Sequence, residues 1–258
     1  MDRAASIAVT MARYAAMREE RGLRNGLRAA AALGREIGSK LQGKPGARSC
    51  PICGWSGPRF GPVYYVDNYR EDIRCYRCGS SDRDRLVKLY VERDLAGFFR
   101  ERRRRVLDIG PLSYSRSFFP EDADYVSFDL FSPRAMVRGD LCAAPFPDGS
   151  FDLWLCFHVL DLIPDDTQAM RELFRVLRPG GVGLLDNVMH WDRETEEYDG
   201  PRAHECGHIR RYGTDLPDRL RGLGFEVEIA STEDLFDVET RAAHGIHGRR
   251  FLLCRKPG

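Results

Sequence analysis

The sequence predicts an α/β protein. A mainly parallel, seven-stranded sheet with helices on both faces should follow a small four-cysteine module and an N-terminal helical segment. Three observations carry this. From Val106 onward, short apolar runs alternate with amphipathic stretches of helical period. Four of the eight cysteines stand as two close pairs, Cys50/Cys53 and Cys75/Cys78. The residues ahead of those pairs are rich in Ala, Arg, Leu and Met. The expected organisation is a helical segment over 1–45, a cysteine module over 46–80 and a sheet domain over 81–258.

Residues 1–40 read as helix, interrupted by Gly22, Gly26, Gly34 and Gly38. The segment is basic and moderately amphipathic. Three readings stand: a helix packed on the main domain, a helix for a partner or membrane surface, or an arm without fixed structure. As a partner surface it would be where a second copy joins to form a homodimer. "GKPGARS", 43–49, reads as a linker. After the cysteine unit, Ser80, Ser81 or Asp82 can cap a helix whose apolar face is Leu86, Leu89, Tyr90, Leu95 and Phe98. "RERRRR", 100–105, ends it as a solvated basic face.

The alternation then begins. "RVLDIG" reads as the first buried strand, "YVSFDL" (125–130) as the second, "MVRGDL" as a short third and "SFDLWLCFHVL" (150–160) as the fourth. "DDTQAMRELFRVLR" reads as a helix stopped by "PGG". "VGLLDNV" follows as the fifth strand, then the helix "DLPDRLRGLGF", then "FEVEIA" and "GRRFLLCRK" as the sixth and seventh strands. His244 and His247 fall in an expected hairpin before the last strand. Ligands in such sheets sit at the carboxyl ends of the strands.

Composition limits the function classes. The net charge of +1 gives no global attraction to nucleic acid or membrane. No apolar run approaches the roughly 20 residues that span a bilayer, and the first residues carry no secretory apolar core. The expected compartment is the cytoplasm. Nearly all the basic residues are arginine, which reads as a GC-rich coding bias.

In such a chain, paired CxxC units suggest metal rather than disulfides. Cys50, Cys53, Cys75 and Cys78 can complete a tetrahedral four-thiolate site suited to Zn2+, and Gly54 and Gly79 let each turn close. Such a site has no open position for substrate, so its expected role is structural. A unit of this size needs such a staple, because it cannot bury a sufficient core. Arg59, Arg70, Arg74 and Arg77 leave nucleic-acid contact as a secondary reading.

The stretch "VLDIGPLSYS", 106–115, raises the functional question. It opens as a cofactor-binding strand, with an apolar run, Asp108 and Gly110, but then runs Pro111-Leu112-Ser113-Tyr114 where more glycines are expected. Asp129, about 20 residues on, can accept hydrogen bonds from ribose hydroxyls. Asp140, before Leu141, can reach an adenine amine.

The block that follows carries D-x-x-x-x-P-F-x-D-x-S-F-D from Asp140, His-Val-Leu from His158 and R-E-L-x-R-V-L-x-P-G-G from Arg171. It resembles the class I S-adenosylmethionine-dependent methyltransferases over roughly 104–256. The four-cysteine unit followed by "CGSSDRDRL" looks like a bacterial subgroup with a zinc module ahead of that domain. The resemblance implies a Rossmann-like sheet and S-adenosylmethionine as cofactor. It also implies a role in bacterial specialised or carbohydrate metabolism. Asp108, Gly110 and Pro111 would line the methionine end. Asp129 would hold the ribose and Leu130 pack on adenine, with Asp140 and Leu141 flanking it. Phe157 and His158 would face the reacting centre. The chain departs from the pattern in its glycine loop, and in Asp161-Leu162 where the subgroup often carries Glu-His. The proline matches the subgroup, so the loop is expected to be a working variant. A donor without phosphates does not require a bare glycine cradle.

His158 is a candidate general base, its ordinary pKa of about 6.5 suiting neutral pH; it equally fits a binding role. His190 is the second catalytic candidate. The loop from Asn187 to Tyr212 is long and polar, as acceptor-binding loops are. It supplies Trp191, Tyr198, His208, Arg211 and Tyr212 as candidate acceptor contacts. His190, His204, Cys206 and His208 match no metal template. The leading expectation is methyl transfer to a small-molecule O, N or C nucleophile. A non-methylating displacement, methylation of RNA or protein docked through the zinc module, and a non-catalytic scaffold stand as alternatives.

Overall fold

The computed structural model describes residues 47–64, 69–202 and 207–258. The N-terminal helical segment, the homodimer surface assigned to it, and His204 and Cys206 lie outside the described residues. Contacts divide the chain into two compact units. The first takes the described residues up to Leu86 with Tyr198–Ile209 and Phe236–His247. The second takes Val87–Glu197, Arg210–Leu235 and Gly248–Gly258.

In the first unit, β1 (Arg48–Ser49) and β2 (Ser56–Gly57) pair antiparallel across the first cysteine pair. β3 (Gly61–Tyr64) and β4 (Tyr69–Arg74) pair antiparallel with an irregularity between Gly61 and Val63. Helix α1 (Asp82–Arg93) follows. Asp84 accepts from both the N–H and the hydroxyl of Ser81 at 2.8 Å, the return half of a capping box.

After α2 (Ala96–Glu101), the sheet of the second unit begins with β5 (Arg105–Ile109), β6 (Asp124–Asp129), β7 (Val137–Arg138) and β8 (Phe151–Phe157). Helix α3 (Asp166–Val176) leads to β9 (Leu177–Asp186). A two-stranded ribbon, β10 (Glu196–Arg202) and β11 (His208–Arg211), precedes α4 (Leu216–Arg221) and β12 (Glu226–Ser231). Short helices α5 (Thr232–Leu235) and α6 (Val238–His244) come before β13 (Arg250–Arg255). The seven strands lie in the order β12-β13-β9-β8-β5-β6-β7. β7, β6, β5, β8 and β9 run parallel, and β13 is antiparallel to both β9 and β12. This is the Rossmann-like, seven-stranded fold expected.

The core explains the central glycines. Trp154 on β8 is fully buried, and its Nε1 donates to the Leu173 carbonyl at 3.1 Å. Its register partner on β9 is Gly183, where a Cβ would stand 2.1 Å from the indole. α3 turns Ala169, Met170, Leu173 and Val176 inward, a helical apolar stripe, and Asp165 caps it through the Gln168 N–H. The helix ends at Val176, earlier than the apolar pattern suggests. Pro179 bars Arg178 from helical backbone, so the chain turns extended from Leu177.

Residues 238–244 correct the expected hairpin. They form α6, capped by Asp237 on the Thr240 N–H and closed by Gly245 in the left-handed conformation, φ +56°. His244 ends that helix, and its Nδ1 lies 2.9 Å from the Ser49 carbonyl oxygen.

Candidate functional site

Strand register gathers the predicted cofactor residues at one edge of the sheet. Ile109 is level with Phe128 on β6 and with Cys156 on β8, and Asp129 with Arg138 on β7. Asp108, Gly110, Asp129, Asp140, Phe157 and His158 therefore all fall at or just beyond the carboxyl ends of β5 to β8.

The turn after β5 is ordered. The Gly110 N–H donates to the Phe128 carbonyl at 3.0 Å, and its φ of +70° lies in the region that favours glycine. A Cβ there would meet Val159 Cγ2 at 2.9 Å. Beyond Pro111, the Leu112 N–H donates to Ser115 Oγ at 2.9 Å, while the Ser115 N–H returns to the Leu112 carbonyl at 3.1 Å. The missing glycines are thus replaced by a serine-fixed turn. Asp108 is buried, and its carboxylate accepts from the Tyr125 hydroxyl at 2.6 Å. Burial, then the Asp108 charge and that bond, push the Tyr125 phenol well up, so it stays a donor.

Asp129 is fixed by its own backbone. Oδ1 accepts from the N–H groups of Phe131 at 2.7 Å and Ser132 at 2.6 Å. Among the described residues Oδ2 has no hydrogen-bond partner and is open to a ligand hydroxyl. Leu130 and Phe131 beside it are exposed. Asp140 accepts from the Cys142 N–H at 2.9 Å. The Leu141 side chain is buried in the core, so only its backbone is placed to flank a ligand.

His158 has φ +53°. For a residue with a side chain this costs on the order of 1–2 kcal/mol, and such strain clusters at functional sites. Its N–H donates to the Asp186 carbonyl at 2.8 Å, tying the end of β8 to the end of β9. Its Nδ1 lies 3.6 Å from Oδ2 of Asp161, a fully buried carboxylate. Burial first, then Asp161 and Cys254, push the Cys156 thiol well up, which makes it inert.

Sequence reasoning missed Asn187. It is buried at the end of β9, and neither polar atom of its carboxamide has a partner among the described residues. Such a group is costly unless a ligand or water serves it. No sequence signal marks it beyond its place after a predicted strand.

The acceptor candidates scatter. His190 Nε2 lies 3.6 Å from the Glu196 carboxylate, and Trp191 packs on the core under Arg250. Tyr198 stacks under Arg202 at 3.4 Å. His208 is buried and Arg211 half-buried in β11. Tyr212 is corrected: it is fully buried, with its hydroxyl donating to Asp166 at 2.7 Å, a core position rather than an acceptor contact. Arg210 is likewise structural, bonded to Glu197 and to the carbonyls of Leu160, Ile163 and Pro164.

In the first unit the two cysteine turns are copies of one another. Cys50 N–H to Trp55, Gly54 N–H to Cys50, Cys75 N–H to Ser80 and Gly79 N–H to Cys75 close them at 2.8–2.9 Å. Gly54 and Gly79 sit at φ +71° and +77°. The four sulfurs lie within 4.8 Å of one another, with Cys50 3.7 Å from Cys78 and Cys53 3.6 Å from Cys75. Metal–sulfur bonds of ~2.3 Å in a tetrahedron give edges of ~3.8 Å, so the donor set fits Zn2+. Cys50 is held low, at about 4, chiefly by a hydrogen bond from Cys75, and the same bond pushes Cys75 up. Arg85 beneath them is fully buried. Burial lowers its pKa, while the charges of Asp82, Cys50, Cys75 and Asp84 oppose that shift.

The family model described as a methyltransferase domain matches residues 115–185. A probable S-adenosylmethionine-dependent methyltransferase of Mycolicibacterium smegmatis is 37% identical over 98 residues, 37% of this chain and 37% of that protein. The demethylmenaquinone methyltransferase of Listeria welshimeri is 44% identical over 68 residues, 24% of this chain and 29% of that protein. The chain therefore spans well under half the length of these relatives. Among solved structures, Burkholderia thailandensis 1,6-didemethyltoxoflavin-N1-methyltransferase, with 1,6-didemethyltoxoflavin and S-adenosylhomocysteine bound, aligns at 17% identity. Its TM-score is 0.46, over 68% of this chain and 78% of that one. No helix among the described residues is long and apolar enough to cross a membrane.

Proposed function

We propose, on the premise that this chain carries a class I S-adenosylmethionine-dependent methyltransferase domain, that it transfers a methyl group from S-adenosylmethionine to a small-molecule O, N or C nucleophile. The observation that carries the reading is Asp129: a carboxylate locked by two backbone N–H groups, with its second oxygen open at the strand ends beside the Gly110 turn. Bound S-adenosylmethionine would supply an electrophilic methyl group on sulfur. Asp129 would accept from the ribose hydroxyls, with the exposed Leu130 against the adenine and Asp140 at its amine edge. Asp108, Gly110 and Pro111 would line the methionine end.

The acceptor side would be His158, Phe157 and Asn187. Asn187 offers an NH2 donor group and a carbonyl acceptor, so the favoured acceptor presents a complementary polar edge. His158, backed by Asp161, would orient the nucleophile or take its proton. Holding nucleophile and methyl collinear can supply ~7–11 kcal/mol of barrier lowering. His190, Trp191 and Arg211 would be acceptor contacts in the second unit, and Tyr198 and His208 remain acceptor candidates in the first. Cys50, Cys53, Cys75 and Cys78 would hold one structural Zn2+ in the module over 46–80, ahead of a catalytic domain over 81–258.

Calorimetric titration with S-adenosylhomocysteine tests this. Micromolar binding that disappears in Asp129→Ala, with the fold intact, is expected. A folded wild-type protein that binds neither S-adenosylhomocysteine nor S-adenosylmethionine would overturn the reading. Asn187→Ala should leave that binding within a few-fold while abolishing turnover of any acceptor found.

A further inference from the structure

Arg85 is a fully buried cation whose guanidinium meets only carbonyl oxygens. Nε donates to His244 at 2.6 Å, Nη1 to Ile73 at 2.8 Å and Ser80 at 3.0 Å, and Nη2 to Gly245 at 3.0 Å. Its plane lies 3.6 Å from the Phe60 ring centroid. Among the described residues it makes no ion pair with a carboxylate. A buried charge served only by neutral groups is expensive, so a counter-charge is required nearby. Asp82 and Asp84 are close enough to act on it, but each already pairs with another arginine, Arg70 and Arg83.

Ser80 points to a further charge. Its carbonyl accepts from Arg85, while its fully buried hydroxyl lies 3.4 Å from Cys50 Sγ and 3.1 Å from Cys78 Sγ. Four thiolates around one Zn2+ carry a net charge of −2, held one residue away from the guanidinium. The other end of Arg85 reaches the last turn of α6, where His244 and Gly245 present carbonyls that the helix leaves unsatisfied. A Cβ at Gly245 would stand 2.6 Å from the Phe60 ring and 3.3 Å from Arg85 Nη2, so this approach is close-packed.

We propose that Arg85 is the positioning and charge-compensating residue of the four-thiolate metal site, and that through it metal occupancy fastens the distant segment 236–247 to the cysteine module. This rests on the zinc reading above. The dianionic cluster stabilises the buried guanidinium, the guanidinium raises the affinity of the cluster for metal, and its fork holds the end of α6. Loss of metal leaves the cation with only Asp82 and Asp84, which it shares with Arg70 and Arg83, and loosens that end.

The test uses the full chain. Zinc content and affinity are measured by native mass spectrometry and chelator competition for wild type, Arg85→Met and Arg85→Lys. Wild type is expected to hold one zinc, and Arg85→Met to lose about 10–100-fold in affinity, the range for groups that support metal ligands. Arg85→Lys keeps the charge but not the four-carbonyl fork, so its affinity should fall between the two. Hydrogen exchange of the wild type with and without chelator is the second readout, and it needs no variant to fold. On metal removal, exchange should quicken in 238–246 as well as in 48–80, with α3 unchanged. A wild type that holds no zinc defeats the metal reading itself. A wild type that holds zinc, with Arg85→Met equal in affinity or with 238–246 indifferent to chelation, defeats only the role of Arg85.

Discussion

Replacing Gly110 with alanine isolates what the unusual cofactor turn requires. The backbone stands at φ +70°, where a side chain costs ~1–2 kcal/mol. The new Cβ would also sit 2.9 Å from Val159 Cγ2, and such overpacking costs ~1–3 kcal/mol. A smaller gain from the stiffer unfolded chain, ~0.4–1 kcal/mol, offsets part of this. The net expectation is a loss of ~1–5 kcal/mol, which at roughly 2–4 °C per kcal/mol lowers Tm by about 2–18 °C. Gly97→Ala is the control, because Gly97 lies in α2 with open space where its Cβ would go. Alanine there should stabilise by ~0.5–1 kcal/mol. Gly110→Asn separates the two costs, since asparagine tolerates the left-handed region but keeps the contact with Val159. Differential scanning calorimetry reads all three, and S-adenosylhomocysteine titration reads the turn's function. If Gly110→Ala melts within about 1 °C of wild type, neither the strain nor the clash is real and the reasoning fails.

Three further outcomes follow from buried polar groups. Tyr212→Phe removes a 2.7 Å bond to Asp166 and should cost ~1.5–3 kcal/mol in urea unfolding. Its cofactor binding should be unchanged, and a selective loss of acceptor binding in a variant of full stability would restore the acceptor reading for Tyr212. Burial alone would raise the Asp152 pKa, but the Arg105 N–H and the Arg102 and Arg178 guanidinia outweigh it and hold the carboxyl below its ordinary value. Its stabilisation is therefore full above about pH 4 and is lost as pH falls through the depressed value. Asp152→Asn should be less stable at neutral pH, with a gap that closes in acid; parallel stability curves down to pH 2 would contradict this. Arg210→Lys keeps the charge but cannot reach Glu197 and three loop carbonyls together, so it should cost at least ~1–3 kcal/mol, and a neutral result in thermal unfolding would show that the fork is dispensable.

The sheet was legible because its strands are buried on both faces. "RVLDIG", "SFDLWLCF" and "RRFLLCR" are apolar runs that no amphipathic helix would carry, and each became a strand. α6 was equally legible, through Asp237 as cap and Gly245 as stop, but its face carries few apolar residues to draw attention. The strand-end acids were readable because Asp108, Asp129 and Asp140 follow predicted strands. Other features had no local sign. The positive φ of His158 comes from the link between β8 and β9, and histidine does not announce it. Tyr212 looked like a loop residue beside two arginines, and only its fully buried ring reassigns it. The orphaned carboxamide of Asn187 exists only once every neighbour has been placed.

The arginine excess acquires a physical reason from the same structure. Arg85 serves two carbonyls beside the second cysteine turn, Ile73 and Ser80, and two at the end of α6, His244 and Gly245. Arg116 serves those of Phe119, Pro120, Glu121 and Ala123, and Arg210 those of Leu160, Ile163 and Pro164. Many of these carbonyls lie in loops or at the ends of short elements, and buried backbone groups must find partners. A guanidinium carries five donors in a fixed plane, so one side chain closes a whole turn, whereas an ammonium offers a compact charge with three. A coding bias explains how arginine became available. It does not explain why the buried or half-buried arginines sit where loops converge, two of them beside the proposed metal and acceptor sites. Those positions should resist exchange for lysine, while the exposed Arg59, Arg74 and Arg77 of the module should accept it.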